Sequence, residues 1–287
     1  MIVNADCIEH LKTVEDNHFD SVVTDPPYHL TSIAKRFTNS TEAKYGKDGS
    51  FQRLSKGFHG HEWDGGDIAF TTDLWKEVYR TIKPGAVLLA FSATRNYHKM
   101  ATAIENSGFE IMDMINWIYG SGFPKRKNLL KPAHEPIVMA RKGVNKDLNL
   151  DECRVNGDNP KKWTKPKGGF WKTDPNAKAK YIENTKGRWP ANIIHDGLDE
   201  EWAKYFYSAK ASKKEKDGSN HPTVKPVSLM RYLVKLVTPK DGLVLDPFAG
   251  TGTTGEACIL EGRNYYLIEK TKEYISDIEK RIDKVIL

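Results

Sequence analysis

Two short runs in the 287-residue chain carry the residue types that chemistry needs. The first is Asp25-Pro26-Pro27-Tyr28. Asp25 offers a carboxylate, and the two prolines fix the backbone so that the Pro26 carbonyl points outward as a second acceptor. Paired acceptors suit the two N–H groups of an exocyclic base amine. Its lone pair is delocalised into the ring, and holding both hydrogens favours a pyramidal nitrogen that can attack a methyl donor. Tyr28 adds a flat face for a base extruded from a duplex. The structural alternative is a rigid proline turn beside a core tyrosine.

The second run, Leu245 to Gly255, reads as a strand, a glycine loop and a helix start. Gly250, Gly252 and Gly255 satisfy GxGxxG, and Glu269 follows Gly250 by 19 residues at the end of the next strand. Glycines let backbone approach a ligand, unspent N–H groups at the helix start attract an anion, and the acid can accept from ribose hydroxyls. A dinucleotide and S-adenosylmethionine both carry an adenosine and both fit, so the loop alone does not choose between them. A glycine turn that only packs a helix on a sheet is the structural alternative.

Strands and helices must position these runs. Ser21 to Thr24 reads as a short buried strand that ends at the two prolines. A helix from about Asp73 to Ile82 stops at Lys83-Pro84-Gly85, and the strand Ala86 to Phe91 follows. A helix over Tyr97 to Ser107 leads to strands near Ile111 to Tyr119 and Glu135 to Ala140. After His221 the pattern is helix (Ser228 to Val237), strand (Leu243 to Asp246), glycine loop, helix (Thr253 to Glu261), strand (Tyr265 to Glu269) and helix (Thr271 to Val285). This alternation predicts an α/β fold, a parallel sheet with helices on its faces. Residues 29–71, rich in Gly, Ser, Thr and Lys, read as a long mobile loop.

Length then constrains the topology. Only 35 residues follow Gly252, too few for a nucleotide-binding sheet, so the remaining strands come from the N-terminal region. The opening Ile2 to Asp6 is a short strand followed by a helix over Ile8 to Val14, expected beside the strand that ends at Glu269. Asp6 then either accepts from an adenine amino group or simply caps its helix. The sheet is split across the two ends of the chain with the cofactor loop last, whereas a dehydrogenase would put that loop first.

The combination resembles the beta-class amino-methyltransferases of DNA, in which a DPPY loop precedes an FxGxG cofactor loop. The resemblance covers about residues 1–140 and 218–287 and is carried by three runs: Asp25-Pro26-Pro27-Tyr28, His221-Pro222-Thr223-Val224-Lys225-Pro226, and Asp246 through Thr254. His134-Glu135-Pro136-Ile137 is similar to the strand that lines the base pocket in that family. The resemblance implies a circularly permuted Rossmann-like methyltransferase fold, a mostly parallel sheet with one antiparallel strand and a small insert. It implies S-adenosylmethionine as cofactor, S-adenosylhomocysteine as product and no metal. Asp25, Pro26, Pro27 and Tyr28 are then the catalytic set. Asp6 and Glu269 hold the adenine and ribose, while Phe248, Gly250 and Gly252 surround the methionine end with Thr223 and Lys225 close by. Cys7, Asp246, Thr251 and Thr253 are counted with them, although a cysteine in a helix-forming segment also reads as packing. The domains expected are a catalytic half at 1–144, a target-recognition insert at 145–217 and a cofactor half at 218–287.

Asp at the first position of the loop goes with adenine N6 in that family and Ser with cytosine N4, so Asp25 points to adenine. Cytosine-N4 methylation stays as the nearest alternative, and a non-catalytic DNA-binding regulator on the same scaffold is the alternative from another class. No cysteine follows a proline, which disfavours the covalent route to cytosine C5.

Charge agrees with a nucleic-acid partner. Residues 121–217 carry 22 Lys and Arg against 13 Asp and Glu, while the rest of the chain carries 22 against 25, so the net basicity lies in one segment. That segment also holds Trp163, Trp171, Trp189 and Trp202. Basic side chains neutralise phosphates and aromatic faces stack on bases, so double-stranded DNA is the expected partner. A homodimer and a cognate restriction endonuclease are further partners the resemblance allows without requiring. The longest apolar run, Ala86 to Phe91, is far short of the ~20 residues that span a bilayer. The start lacks a basic segment followed by an apolar one, and Cys7, Cys153 and Cys258 form no CxxC pair, so a cytoplasmic protein of a bacterial or phage-infected cell is expected. His59-Gly60-His61 is a weak metal signal without a paired ligand motif, and Trp63-Asp64 beside it could contact the base or the DNA strand.

Overall fold

The computed structural model describes residues 1–28, 67–119, 130, 133–144, 147–155, 162–163, 181–182, 189–195 and 224–286. In chain order, β1 (Ile2–Asn4) and α1 (Cys7–Leu11) are followed by β2 (Phe19–Thr24), a 3-10 turn (Ile68–Phe70), α2 (Thr72–Thr81), β3 (Ile82–Phe91), α3 (Tyr97–Glu105), β4 (Glu110–Ile118) and β5 (His134–Arg141). Three short strands come next: β6 (Lys162–Trp163), β7 (Tyr181–Ile182) and β8 (Ile193–His195). The chain closes with α4 (Val227–Val237), β9 (Leu243–Asp246), α5 (Thr253–Leu260), β10 (Asn264–Glu269) and α6 (Lys272–Ile286).

Eight strands form one sheet in the order β1-β10-β9-β2-β3-β5-β4-β8. From β1 to β3 every pairing is parallel. β5 runs against both of its neighbours, and β8 lies parallel to β4. β1 and β10 pair as expected, joining strands far apart in sequence. Asn4 pairs with Glu269, and the Met1 ammonium donates to the Tyr265 carbonyl at 2.8 Å. The Asn4 amide adds bonds to the carbonyls of Glu269 and Lys270 at 2.8 and 3.1 Å.

Strand residues alternate between two buried faces, the period of two that a covered sheet imposes. Val22, Leu88, Val138 and Leu245 face the layer of α1, α2 and α3. Val23, Leu89, Met139 and Val244 face α4 and α5. α6 packs separately, with Ile278 and Ile282 against Leu267. From β9 the sheet continues to β10, and from its neighbour β2 it continues the other way to β3. The carboxyl ends of β9 and β2 therefore flank a topological switch point, the crevice where open α/β sheets bind ligands.

Two local features depart from the sequence expectations. β3 begins at Ile82 rather than Ala86: its register to β2 jumps from Phe19–Ile82 to Ser21–Val87, so Lys83-Pro84-Gly85 is a bulge inside the strand. Gly85 adopts φ +81° and donates to the Lys142 carbonyl, and Pro84 is tolerated because the bulge needs no ladder donor there. The end of the segment read as a loop is fastened, since the Trp75 indole donates to the Ala69 carbonyl at 2.9 Å and both residues are buried. Residues 29–66 lie outside the described residues. Within 145–217, some of the described residues pack on the same body. Cys153 is in the core, Asn149 donates to the Lys235 and Thr238 carbonyls at the end of α4, and β8 joins the main sheet. No described helix is long and apolar enough to cross a membrane.

Candidate functional site

β2 ends at Thr24, so Asp25 emerges at the crevice and the prolines stop the ladder there. Lys225, just before α4, reaches across and places its ammonium at 2.5 Å from Asp25 Oδ2, 3.2 Å from the Tyr28 hydroxyl and 3.3 Å from Glu135 Oε2. Those three contacts use all three ammonium donors. The Tyr28 hydroxyl donates to Glu135 Oε2 at 3.0 Å, and Asn96 donates to the Tyr28 carbonyl at 2.8 Å. The Lys225 ammonium also lies 4.8 Å from the Phe91 ring centre. One atom is left over: Asp25 Oδ1 is buried and, among the described residues, accepts no hydrogen bond. A buried carboxylate oxygen without a donor is costly, and it is the acceptor that an incoming N–H would satisfy.

Burial pushes the Asp25 carboxyl above its ordinary range, against the pull of the Lys225 ammonium, with Glu135 adding to the rise. Burial alone would lower Lys225, but the Asp25 and Glu135 carboxylates outweigh it and hold the ammonium above its ordinary value. The two shifts share a sense because a water-poor cluster of two carboxylates and one ammonium retains its protons. Burial and the same carboxylates raise the Tyr28 phenol well above its ordinary value, so it stays a neutral donor.

On the other side of the crevice Asp246 ends β9 and is buried. Its Oδ1 accepts from the Thr24 hydroxyl at 2.8 Å and the Phe248 amide at 3.1 Å, and its Oδ2 accepts from the Thr254 hydroxyl at 2.5 Å. Burial pushes its carboxyl up to about 6 despite these donors. One side chain thus ties β2, the glycine loop and α5 together. The Gly250 amide donates to Glu269 Oε2 at 2.9 Å and the Thr271 amide to Oε1 at 2.7 Å, while burial raises that carboxyl. Gly252 caps α5 at φ +80°, and a Cβ there would stand 2.9 Å from Ile278 Cγ2. Gly255 is held close in the same way, its Cβ position lying 2.7 Å from Leu267 Cδ1. Buried Arg281 donates to the Thr251 carbonyl at 2.8 Å and to Glu256 at 2.6 Å, bracing the loop from α6.

Asp25 follows β2, Asp246 ends β9 and Glu269 ends β10, so these three expected residues stand at the carboxyl ends of adjoining strands. Thr251 and Thr253 are buried in the glycine loop and α5, and Phe248 packs partly on the core. Asp6 does cap α1: its Oδ1 accepts from the Ile8 and Glu9 amides, and its Oδ2 pairs with Lys270 at 3.0 Å. Burial would raise that carboxyl, but Lys270 and the amides hold it below its ordinary value. The strand pairing still puts Asp6 two residues past Asn4, the partner of Glu269. The Cys7 side chain lies in the core, where burial pushes its thiol up to about 12, so any ligand contact from it would be through backbone. Lys225 contacts Asp25, Tyr28 and Glu135. Thr223, His59, His61, Trp63 and Asp64 lie outside the described residues, among which no cluster of potential metal ligands occurs. Sequence reasoning missed Thr24, Phe91, Asn96 and Arg281, none of which sits in a motif, and the bond of Thr254 to Asp246 within the glycine-loop run.

A family model for N6 and N4 DNA methylases matches residues 19–280. The chain belongs to this family. It is 28% identical to the type II methyltransferase M.HindIII of Haemophilus influenzae, over 94% of this chain and 90% of that protein. Among solved structures it is similar to an M1.HpyAVI–SAM complex, with a TM-score of 0.56 at 21% identity and coverage of 99% of this chain and 98% of the other. It is also similar to the cytosine-N4-specific PvuII DNA methyltransferase, with a TM-score of 0.61 at 17% identity and coverage of 99% and 89%. At these identities the likeness establishes the fold, the Rossmann-like α/β sheet of DNA methyltransferases, in agreement with the expected fold class. Because one neighbour is specific for cytosine N4, the fold does not by itself choose the base.

Proposed function

We propose that this DNA methylase transfers a methyl group from S-adenosylmethionine to N6 of an adenine extruded from double-stranded DNA. The observation that carries the reading is Asp25 Oδ1, buried without a donor at the switch-point crevice. An amine N–H bonded there, with the second N–H on the Pro26 carbonyl, leaves the nitrogen lone pair free on the third side. The Tyr28 ring stacks on the base, and its hydroxyl and carbonyl are fixed by Glu135 and Asn96. Asp25 or a water takes the proton released once the amine is methylated.

The residues opposite suit the cofactor. Gly250 and Gly252 bring backbone close, and the first turn of α5 leaves N–H groups free for a carboxylate. Glu269, although engaged by two amides, keeps acceptor capacity on both oxygens for ribose hydroxyls. Asp6 stands beside it for the adenine amine. When bound, S-adenosylmethionine would supply a sulfonium methyl whose carbon the amine nitrogen attacks in line, the C–S bond breaking so that S-adenosylhomocysteine leaves as the thioether. Residues 145–217, basic and tryptophan-bearing, are assigned target recognition. A cytoplasmic location and a companion endonuclease, as in type II systems, belong to the same proposal.

Cytosine N4 is the second reading, favoured by the likeness to the PvuII enzyme. Incubation with double-stranded DNA and labelled S-adenosylmethionine, followed by digestion to nucleosides, separates the two. N6-methyldeoxyadenosine is expected. N4-methyldeoxycytidine would overturn the choice of base, and no labelled nucleoside would overturn the activity.

A further inference from the structure

Asp25 does not stand alone at the site. Lys225 neutralises it, and Glu135 faces the same ammonium from β5 at 3.3 Å. A simple ion pair between Asp25 and Lys225 would leave a neutral cluster, with Asp25 electron density drawn toward the ammonium and Oδ1 a weaker acceptor. Glu135 changes the balance. Its Oε2 takes both the Lys225 ammonium and the Tyr28 hydroxyl, so two carboxylates share one cation and, with both ionised, the cluster carries one negative charge in excess. The Phe91 ring covers the ammonium from another side, leaving little water to screen these charges.

Resting on the function proposed above, we propose that Glu135 is a positioning residue for Asp25. Through Lys225 and Tyr28 it keeps the site one charge negative, so that Asp25 Oδ1 remains a strong acceptor for the amine as positive charge develops on its nitrogen. The motif that carries Asp25 holds no trace of this partner, because Lys225 is 200 residues away and Glu135 is 107 residues from Tyr28. The charged and titratable groups facing Asp25 are Lys225 before α4, Glu135 on β5, Tyr28 on its own loop and Asp246 at the end of β9. Of these, Glu135 raises the Asp25 carboxyl and Lys225 lowers it. Removing one or the other must therefore move Asp25 in opposite directions.

The test compares wild type, Glu135→Gln and Lys225→Met in single-turnover methyl transfer across pH, with S-adenosylmethionine affinity read by calorimetry. Gln keeps the shape and an acceptor for the Tyr28 hydroxyl while removing the charge. Glu135→Gln is expected to lower the transfer rate by about ten- to a hundredfold, less than the hundred- to thousandfold typical of a lost direct transition-state contact. Cofactor affinity stays close to wild type. Its acid limb, where Asp25 takes up a proton, moves to lower pH, and that of Lys225→Met moves to higher pH. If Glu135→Gln does not fold, Glu135→Asp takes its place; it keeps the charge one methylene farther from Lys225 and gives a smaller shift in the same direction. An active wild type with a Glu135 variant of unchanged rate and unchanged acid limb overturns this proposal alone. An inactive wild type overturns the functional reading and this proposal with it.

Discussion

Replacing Asp246 by Asn should change how stability depends on pH. Asp246 is 2% exposed, and burial pushes its carboxyl from an ordinary 3.8 up to about 6. A folded-state value above the unfolded one means that the folded protein binds this proton more tightly. The stability so contributed is complete below about pH 4 and is lost as pH rises through about 6. The rise corresponds to about 3 kcal/mol of stability present at acid pH and absent at neutrality. Asn cannot titrate, so Asp246→Asn should lack this component. Its amide Nδ2 cannot accept from the Thr254 hydroxyl as Oδ2 does, which adds a pH-independent cost of about 1 kcal/mol. The assay is urea unfolding of both proteins, followed by tryptophan fluorescence between about pH 4 and pH 7.5. The gap in unfolding free energy should shift in the variant's favour with rising pH, by up to about 3 kcal/mol. A gap independent of pH would refute the argument that a buried, raised carboxyl holds β2, the glycine loop and α5 together.

Gly252→Ala places a Cβ 2.9 Å from Ile278 Cγ2 at φ +80°, for a destabilisation of about 2–4 kcal/mol from overpacking and backbone strain together. Gly262→Ala, at φ +66° with nothing within 4 Å, bears the strain alone and should cost about 1 kcal/mol; equal melting shifts for the two would contradict the packing argument. Arg281→Met strips donors from the Thr251 carbonyl and Glu256, for an expected loss of about 1–3 kcal/mol and weaker cofactor binding by calorimetry. A variant with wild-type affinity would show that α6 does not brace the loop. Trp75→Phe removes the donor to Ala69, and hydrogen exchange should show faster exchange confined to the amides of 67–71; protection unchanged there would refute the fastening of this segment.

What could be read without coordinates follows from how local each cause is. The Asp25 loop and the glycine loop announce themselves because prolines and glycines act on their own backbone. The pairing of β1 with β10 agrees with the expectation that the opening strand lies beside the strand ending at Glu269. Asp6 left two readings open, and capping is the one its amide bonds display. Lys83-Pro84-Gly85 looked like a turn because Pro and Gly usually end strands, yet pairing on both sides of β3 absorbed them as a bulge. β8 is three residues long and is made by its register to β4, which no pattern inside it encodes. The Lys225–Glu135–Tyr28 contacts join segments far apart in sequence, so only the fold reveals that Lys225 serves the Asp25 loop.

On the proposed function, the crevice between the ends of β2 and β9 holds the methyl donor on one wall and the accepting amine on Asp25. Asp25→Ala tests it most directly, with S-adenosylmethionine binding measured by calorimetry and labelled-methyl transfer to DNA measured on the same preparation. Cofactor binding close to wild type with transfer abolished is expected. Undiminished transfer by the variant would contradict it.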